Sequence, residues 1–299
     1  MRYAQLRAFH YVATHGGFSR AAEALYISQP AVSDQVRKLE EEYDILLFDR
    51  SKRQVSVTAR GLELLEITHR MFDQEQQARD FLTESGALTS GTLRLFVDSA
   101  YHVTDLLSSF RRLYPRVSIL MRVGNSDDVT SALKSYDADI GVFGEMSKKK
   151  EMDMLPLGDS PLVAFAAKGS EFDPLKLETY ADLLKYPLVM RETGSKTRQK
   201  LEDAAQSVGV PLIPTIVTEG REAVREVVAS GAGIGFVSLA EFSPDPRLFQ
   251  IPLPLPCPVM EEVMVCLHDR RNQKVIRAFM TMAREQISRK ANLGLDPAC

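Results

Sequence analysis

Cysteine is scarce in these 299 residues. Cys257, Cys266 and Cys299 form no CxxC and no Cys/His cluster with metal spacing. A disulfide framework and a zinc finger are thereby excluded, and reduced thiols are the expected state. No run of about 18 apolar residues occurs, so no membrane span is expected. The opening stretch MRYAQLRAFHYVATHGG is broken by Arg2, Gln5, Arg7 and His10. It lacks the apolar block of a secretory signal, and a cytoplasmic location is expected. GxSxG, HExxH and Walker sequences are missing, and Gly231-Ala-Gly-Ile-Gly235 does not match the dinucleotide fingerprint. His102 and His268 stand alone. No nucleophile–base pair suggests itself, so neither an enzyme nor a resident cofactor is expected. Charge of one sign is also lacking. Residues 1–60 hold nine Lys/Arg against seven Asp/Glu (+2), and the remainder 28 against 33 (−5). A nucleic-acid partner must therefore be read from the placement of cations, not their sum.

What is present has four textures. Residues 1–57 read as short helices and one late β-like segment. Leu6, Phe9, His10 and Ala13 share a helical face over residues 3–15, which Gly16-Gly17 ends. Ser19 is placed to cap a second short helix, RAAEAL. Ser28 is placed to cap a third, with Pro30 in its first turn. There Val32, Val36 and Leu39 form an inward stripe, while Gln29, Ser33 and Arg37 recur on an outward face. Gln bonds bidentately to adenine, Arg to guanine, and Ser to either. Asp34 repels phosphate but can accept from a cytosine amino group. A polar surface helix of an ordinary bundle has the same spacing. The next segment, LLFDRSKRQVSVTARG, sets Arg50, Lys52 and Arg53 ahead of an alternating Gln54-Val55-Ser56-Val57. A basic β-wing beside such a helix grips phosphates or a minor groove. A solvated charged turn looks the same in sequence.

Thr58 is placed to cap a long helix over residues 58–89. Leu64, Ile67, Met71, Gln74, Ala78, Phe81, Ser85 and Leu88 follow a 3-4 spacing, which implies a coiled-coil dimer. A helix packed on its own domain is the alternative. From Gly91 to about residue 267, β-like runs (TLRLFV, RVSILMRV, ADIGVF, YPLVM, GIGFVSL, EEVMVCL) alternate with helical runs. That pattern predicts an α/β body with a mostly parallel sheet. Its length suits two lobes, with crossings near 157–167 and 266–268. A last helix covers about 269–290.

In such sheets ligands sit beyond the C-terminal strand ends. Three exits are alike in being rich in small polar and hydroxyl side chains. The first carries Ser99, Tyr101 and His102, the second Asn125 and Ser126, and the third Thr193, Ser195, Lys196 and Thr197. Phe143, at the end of ADIGVF, joins the candidate set. Helix N-termini converging on one cleft favour a small anion, such as a carboxylate, sulfate or phosphonate. The same residues serve equally as ordinary helix caps. Three functional readings follow: a ligand-gated transcription factor, an enzyme or transport-type binding protein using the same body, and an architectural DNA binder without effector.

The residues FSRAAEALYISQPAVSDQVRKLEEEYDILLFDR with VSVTARG resemble the LysR-type transcriptional regulators; the body is similar more diffusely, through TLRL, LYPRVSI, DADIGV, RETGSKTR and GAGIGFVS. The resemblance implies a winged helix-turn-helix DNA-binding domain at 1–57 and a dimerising linker helix at 58–89. It implies a two-lobed effector-binding domain at 90–299, like periplasmic binding proteins. Lobe I would take about 91–160 and 267–299, and lobe II about 161–266. It implies a homotetramer built as a dimer of dimers, an operator of double-stranded DNA, a small anionic effector and RNA polymerase as partners. By position, Gln29, Pro30, Ser33, Asp34 and Arg37 match the groove-facing set, and Arg50, Lys52 and Arg53 the wing. Ala59-Arg60 stands where the family commonly has an acidic residue and Ala before the linker Gly. The cysteines do not fall where peroxide-sensing members keep their pair, so peroxide sensing is not expected. The head with DSAYHV is similar to members associated with aminoethylphosphonate catabolism, which makes a phosphonate effector one expectation.

Overall fold

The computed structural model describes residues 1–49, 55–82, 90–145, 150–172 and 176–292. Its contacts divide the chain into two units, Met1–Ser85 and Gly86–Cys299. The first opens with α1 (Tyr3–His15), which ends where Gly16 takes the left-handed conformation at φ 66°. The second helix, α2 (Phe18–Leu25), starts ahead of the expected Ser19 cap. Gly17 takes the cap position, and Phe18 is drawn inward to set its ring edge-on against Phe48, 5.7 Å away. In α3 (Gln29–Tyr43) the Ser28 hydroxyl accepts from Ala31 N–H at 3.4 Å, and Val32, Val36 and Leu39 are buried.

Glu40, also buried, accepts through Oε1 from the backbone N–H groups of Leu47 (2.8 Å) and Phe48 (3.2 Å). It thus ties the end of α3 to β1 (Phe48–Asp49), which pairs antiparallel with β2 (Ser56–Val57). Arg50, Lys52, Arg53 and Gln54 lie outside the described residues.

Thr58 caps α4 (Ala59–Leu82) as expected. Its hydroxyl accepts from Gly61 N–H at 3.0 Å and donates to the Leu46 carbonyl at 2.8 Å. The expected seam is divided, however. Leu64 and Met71 pack on the head's own core, together with Leu65, which the 3-4 spacing passed over. Ile67 is 55% exposed, and Gln74 and Ala78 are exposed. The face turned towards α1 runs through Leu65, Thr68 and Phe72, the last two of which meet His10 and Tyr3, and only one edge of the expected stripe is drawn in with it. Ser85, Leu88 and the Phe81 side chain lie outside the described residues.

The second unit begins with β3 (Gly91–Val97), α5 (Thr104–Leu113), β4 (Val117–Val123), α6 (Ser126–Lys134) and β5 (Ile140–Phe143). Its strands run parallel in the order β4-β3-β5. The chain then enters β6 (Met152–Ala167). It continues through α7 (Tyr180–Leu183), β7 (Val189–Arg191), α8 (Lys196–Ser207), β8 (Ile216–Thr218), α9 (Arg221–Ala229), β9 (Gly235–Ser238) and β10 (Leu248–Pro252). It returns in β11 (Val259–Leu267) and closes with α10 (Lys274–Asn292).

The mostly parallel sheet expected from alternation holds only in part. The pairs β3–β4, β3–β5 and β7–β8 are parallel, whereas β6–β9, β6–β10, β6–β11 and β5–β11 are antiparallel. The reason is that β6 and β11 are themselves the crossings, laid antiparallel to each other. Residues 152–161 of β6 pair with β11, and Leu162–Ala167 pair with β9 and β10. The return falls at Met260–Val263, ahead of the expected 266–268. Met260 belongs to the second lobe's core, while Val263 already pairs with Phe143 of β5 after an irregularity at Glu262. One core sets Leu93, Leu95 and Val97 against Phe110 and Phe279, and the other sets Leu162 and Ala164 against Leu188, Leu201 and Phe236.

Candidate DNA-binding helix and interlobe cleft

Outward from α3 stand Gln29, Pro30 and Arg37, all exposed, with Ser33 and Asp34 half-exposed. Arg37 donates to Asp34 Oδ1 (2.7 Å) and Glu41 Oε1 (3.0 Å), and Lys38 Nζ lies 2.7 Å from Asp34 Oδ2. Both cations are therefore held along the helix by neighbours one turn away. Hydrogen bonds from Lys38 and Arg37 hold the Asp34 carboxyl below its usual range. Exposed pairs of this kind are weak and exchange readily for a phosphate or a base edge. Sequence reasoning passed over Tyr26, which is 94% exposed and left-handed at φ 57° immediately before α3. The signal was an aromatic side chain standing in the turn YISQP.

In the second unit a cavity of about 270 Å³ lies at the junction of the lobes. Ser99, Ala100 and Tyr101 reach it from the loop after β3. Across from them stand Thr197, Arg191, Arg221 and Arg225, with Phe165, Phe236 and Phe242 forming an apolar wall. Thr197 is 4% exposed and its hydroxyl has no hydrogen-bond partner. It sits one residue into α8, whose cap residue Ser195 makes no side-chain capping bond.

Of the sequence candidates, only Ser99, Tyr101 and Thr197 line this cavity. Asn125 is committed to capping α6, accepting from Asp127 and Asp128 N–H at 3.0 Å each. Ser126 donates to Asp98 at 3.2 Å. Phe143 is 1% exposed in the first lobe's core, and Thr193 points to solvent. Ser195 is buried without lining the cavity. Lys196 donates to Gln199 and lies 3.7 Å from Glu145. The three strand exits do approach one another: a Cβ on Gly194 would stand 3.0 Å from Asn125 Oδ1. Neither Gly194 nor Asn125 lines the cavity, however. His102 is not on the wall; its Nε2 lies 3.0 Å from Glu241 Oε1.

The charged groups at the cleft were missed, because they come together from distant parts of the chain. Arg191 forks onto Glu192 (2.8 and 2.6 Å), and Arg225 reaches Asp245 (3.0 Å). Arg221 Nε lies 3.0 Å from Glu241 Oε2, and its Nη1 donates to the Asp98 carbonyl. Burial opposes charge on both Arg221 and Glu241. Their mutual attraction outweighs it, holding the guanidinium pKa above and the carboxyl below its ordinary value. Burial pushes the Cys266 thiol up to about 12, so it is no reactive thiolate.

A winged helix-turn-helix unit followed by a two-lobed α/β unit with a cavity at the lobe junction defines a DNA-binding regulator with an effector domain. Residues 3–62 match the bacterial regulatory helix-turn-helix protein model of the lysR family, and residues 86–288 match the LysR substrate binding domain. The chain belongs to the LysR family of transcriptional regulators. It is 32% identical over 237 residues to the RuBisCO operon transcriptional regulator of Allochromatium vinosum, covering 79% of this chain and 78% of that one. It is 27% identical to the regulator CysL of Bacillus subtilis, covering 80% and 81%. Full-length OxyR of Pseudomonas aeruginosa shares the fold at TM-score 0.77 and 20% identity, over 95% of each chain. CbnR does so at TM-score 0.65 and 17% identity, over 96% and 99%. These relatives are regulators and not enzymes. None of them supports the aminoethylphosphonate association. No helix among the described residues is long and apolar enough to cross a membrane.

Proposed function

We propose that this LysR-type regulator binds its operator through Gln29, Ser33 and Arg37 of α3, flanked by Tyr26, and is controlled by a small carboxylate in the interlobe cavity. A homotetramer acting beside RNA polymerase is the assembly this reading expects. The observation that carries the effector is the buried Thr197 hydroxyl without a partner, at the start of α8, which has no side-chain cap, in a cavity also lined by three phenylalanines. A buried hydroxyl left unpaired is costly, and an anion at a helix N-terminus satisfies both it and the free N–H groups. The phenyl rings require an apolar body on that anion, which favours a carboxylate over sulfate or a bare phosphonate.

The test is a thermal-shift screen of small carboxylates, with phosphonates and sulfate alongside. A ligand at 100 times its Kd stabilises the unit it binds by about 2.7 kcal/mol. Thr197→Val should then cut the affinity of the best hit roughly tenfold while leaving effector-free operator binding intact. If the variant titrates like the wild type, the effector lies elsewhere.

A further inference from the structure

Beside the cavity wall lies a second cluster with a different charge balance. The side chains of Asp98, Glu241 and Glu262 are 4%, 2% and 3% exposed, and they face one guanidinium, that of Arg221, and one imidazole, that of His102. Glu262 sits at the return crossing on β11, Glu241 follows β9, and His102 follows β3, so each comes from a different part of the two-lobed unit. Arg221 Nε lies 3.0 Å from Glu241 Oε2 as an ion pair without a hydrogen bond, and Oε1 faces His102 Nε2 at 3.0 Å. Glu262 Oε1 stands 3.7 Å from the same nitrogen. Neither oxygen of Glu262 takes part in a hydrogen bond, and Asp98 Oδ1 is likewise without one. Three buried carboxylates face one guanidinium, with Lys200 the next cation acting on Glu262, so negative charge is in excess here until a proton or a cation offsets it.

We infer that His102 Nε2, Glu241 Oε1 and Glu262 Oε1 form a binding site for one divalent transition-metal ion of the zinc class. The three groups offer ligand atoms that all lie within 4.8 Å of one another. The separations of 3.0 and 3.7 Å from His102 bracket the about 3.4 Å expected between two ligands on a tetrahedral ion with bonds near 2.1 Å. One divalent ion with Arg221 balances the three carboxylates. Imidazole with two carboxylates suits zinc-class ions over calcium or magnesium, which take oxygen alone. Arg221, 3.0 Å from the second oxygen of Glu241, is its outer charge partner. A proton on Glu262 is the rival neutraliser. His102 Nε2, at 3.7 Å, is too far to accept such a proton from Oε1, and the metal content measured below separates the two neutralisers. Because the ligands join both lobes to the crossing strand, the ion would stiffen the hinge of the effector domain. This site does not depend on the carboxylate reading above.

The experiment uses the full chain, stripped with EDTA and then dialysed against Zn²⁺, with bound metal measured by plasma mass spectrometry and melting followed in parallel. Wild type should hold one more Zn²⁺ per chain than His102→Gln or Glu262→Gln, and Zn²⁺ should raise its melting temperature. In a chelator competition either variant should bind Zn²⁺ more weakly by over the 10–100-fold that loss of an outer partner costs. Glu262→Gln in EDTA should melt at or above stripped wild type, because the uncompensated charge is gone, which shows that its loss of metal is not misfolding. Equal zinc content in all three proteins would overturn the site. So would a wild type that melts alike with Zn²⁺ and EDTA while Glu262→Gln melts higher, since a proton would then be the neutraliser. A response to Mg²⁺ as large as that to Zn²⁺ would overturn the zinc-class assignment.

Discussion

The two units dispose of their charges in opposite ways. On α3, Arg37, Lys38, Asp34 and Glu41 pair along the surface at one-turn spacing. At the cleft, Asp98, Arg221, Glu241 and Glu262 are gathered in the interior from four separate elements. The first arrangement is weak by construction, and that weakness suits the role proposed for α3, in which these partners are traded for DNA. The second is strong only while every charge is balanced, since a stranded buried ion costs far more than the pair gains.

The largest effect should come from unbalancing the interior. Arg221→Ala removes the one guanidinium facing three carboxylates. It should destabilise the second unit by about 3–5 kcal/mol, read as a drop in urea midpoint with an unchanged slope. A double substitution that replaces Arg221 and Glu241 by Met should recover much of the loss. A cost as small as that of a surface substitution would mean that water enters the cluster, and the contrast between the units would fail.

The head also keeps a largely buried histidine, and it sharpens the comparison through pH. His10 Nδ1 lies 3.1 Å from the Thr68 hydroxyl, and its ring packs against His69 (4.8 Å) and Phe72 (4.6 Å). Burial, followed by repulsion from His69, lowers its pKa from 6.5 to about 3. Below pH 6.5 the unfolded chain therefore takes up a proton that the folded head refuses. Stability is complete above that value and is lost as pH falls towards 3. Between pH 7 and 5 the loss should be about 2 kcal/mol. His10→Phe should flatten the slope in that window. An unchanged slope would assign the acid sensitivity to other groups.

What the sequence made legible follows the same division. The head is built on local spacing: Ser28, Val32, Val36, Leu39 and Arg37 lie within three turns of one helix, and Thr58 caps the next. Periodicity and capping read such features directly. At the cleft, Ser99 and Thr197 stood out because each sits in a turn that feeds a helix. Glu241 and Glu262 carry no local mark, and Glu241 meets His102 across 139 residues of sequence. The antiparallel crossing strands were missed for a related reason. A long apolar run such as that in β6 shows its burial but not the direction of its neighbour.

The seam of α4 offers a smaller test. Ile67 is free to meet a second copy, whereas Met71 is engaged with its own head. Ile67→Asp should lower the mass in sedimentation while leaving the melting of the head nearly unchanged. Met71→Asp should instead lower the melting of the head. If Ile67→Asp sediments as wild type, the helices meet along another face.

The smallest effect should come from Asp34, where a substitution alters charge without touching the core. Asp34 accepts from both Arg37 and Lys38, so in the free protein one carboxylate restrains two cations. In the proposed DNA complex it would also present negative charge to the phosphates near α3. Asp34→Asn keeps the shape and releases both cations. Its effect on the melting of the head should be within error, because pairs this exposed contribute little to folding. Affinity for random duplex should rise a few-fold, and the dependence on salt should steepen, since two freed cations displace more counterions. The cognate operator then decides what Asp34 is for. If Asp34 accepts from a cytosine amino group, Asn should relax preference at one base position while random DNA binds more tightly. If it only restrains its neighbours, cognate and random affinities should rise together and Arg37→Ala should cancel most of the gain. A variant that loses affinity for every sequence alike would show that the ion pairs orient α3 for docking, and the view of these charges as freely exchangeable would be wrong.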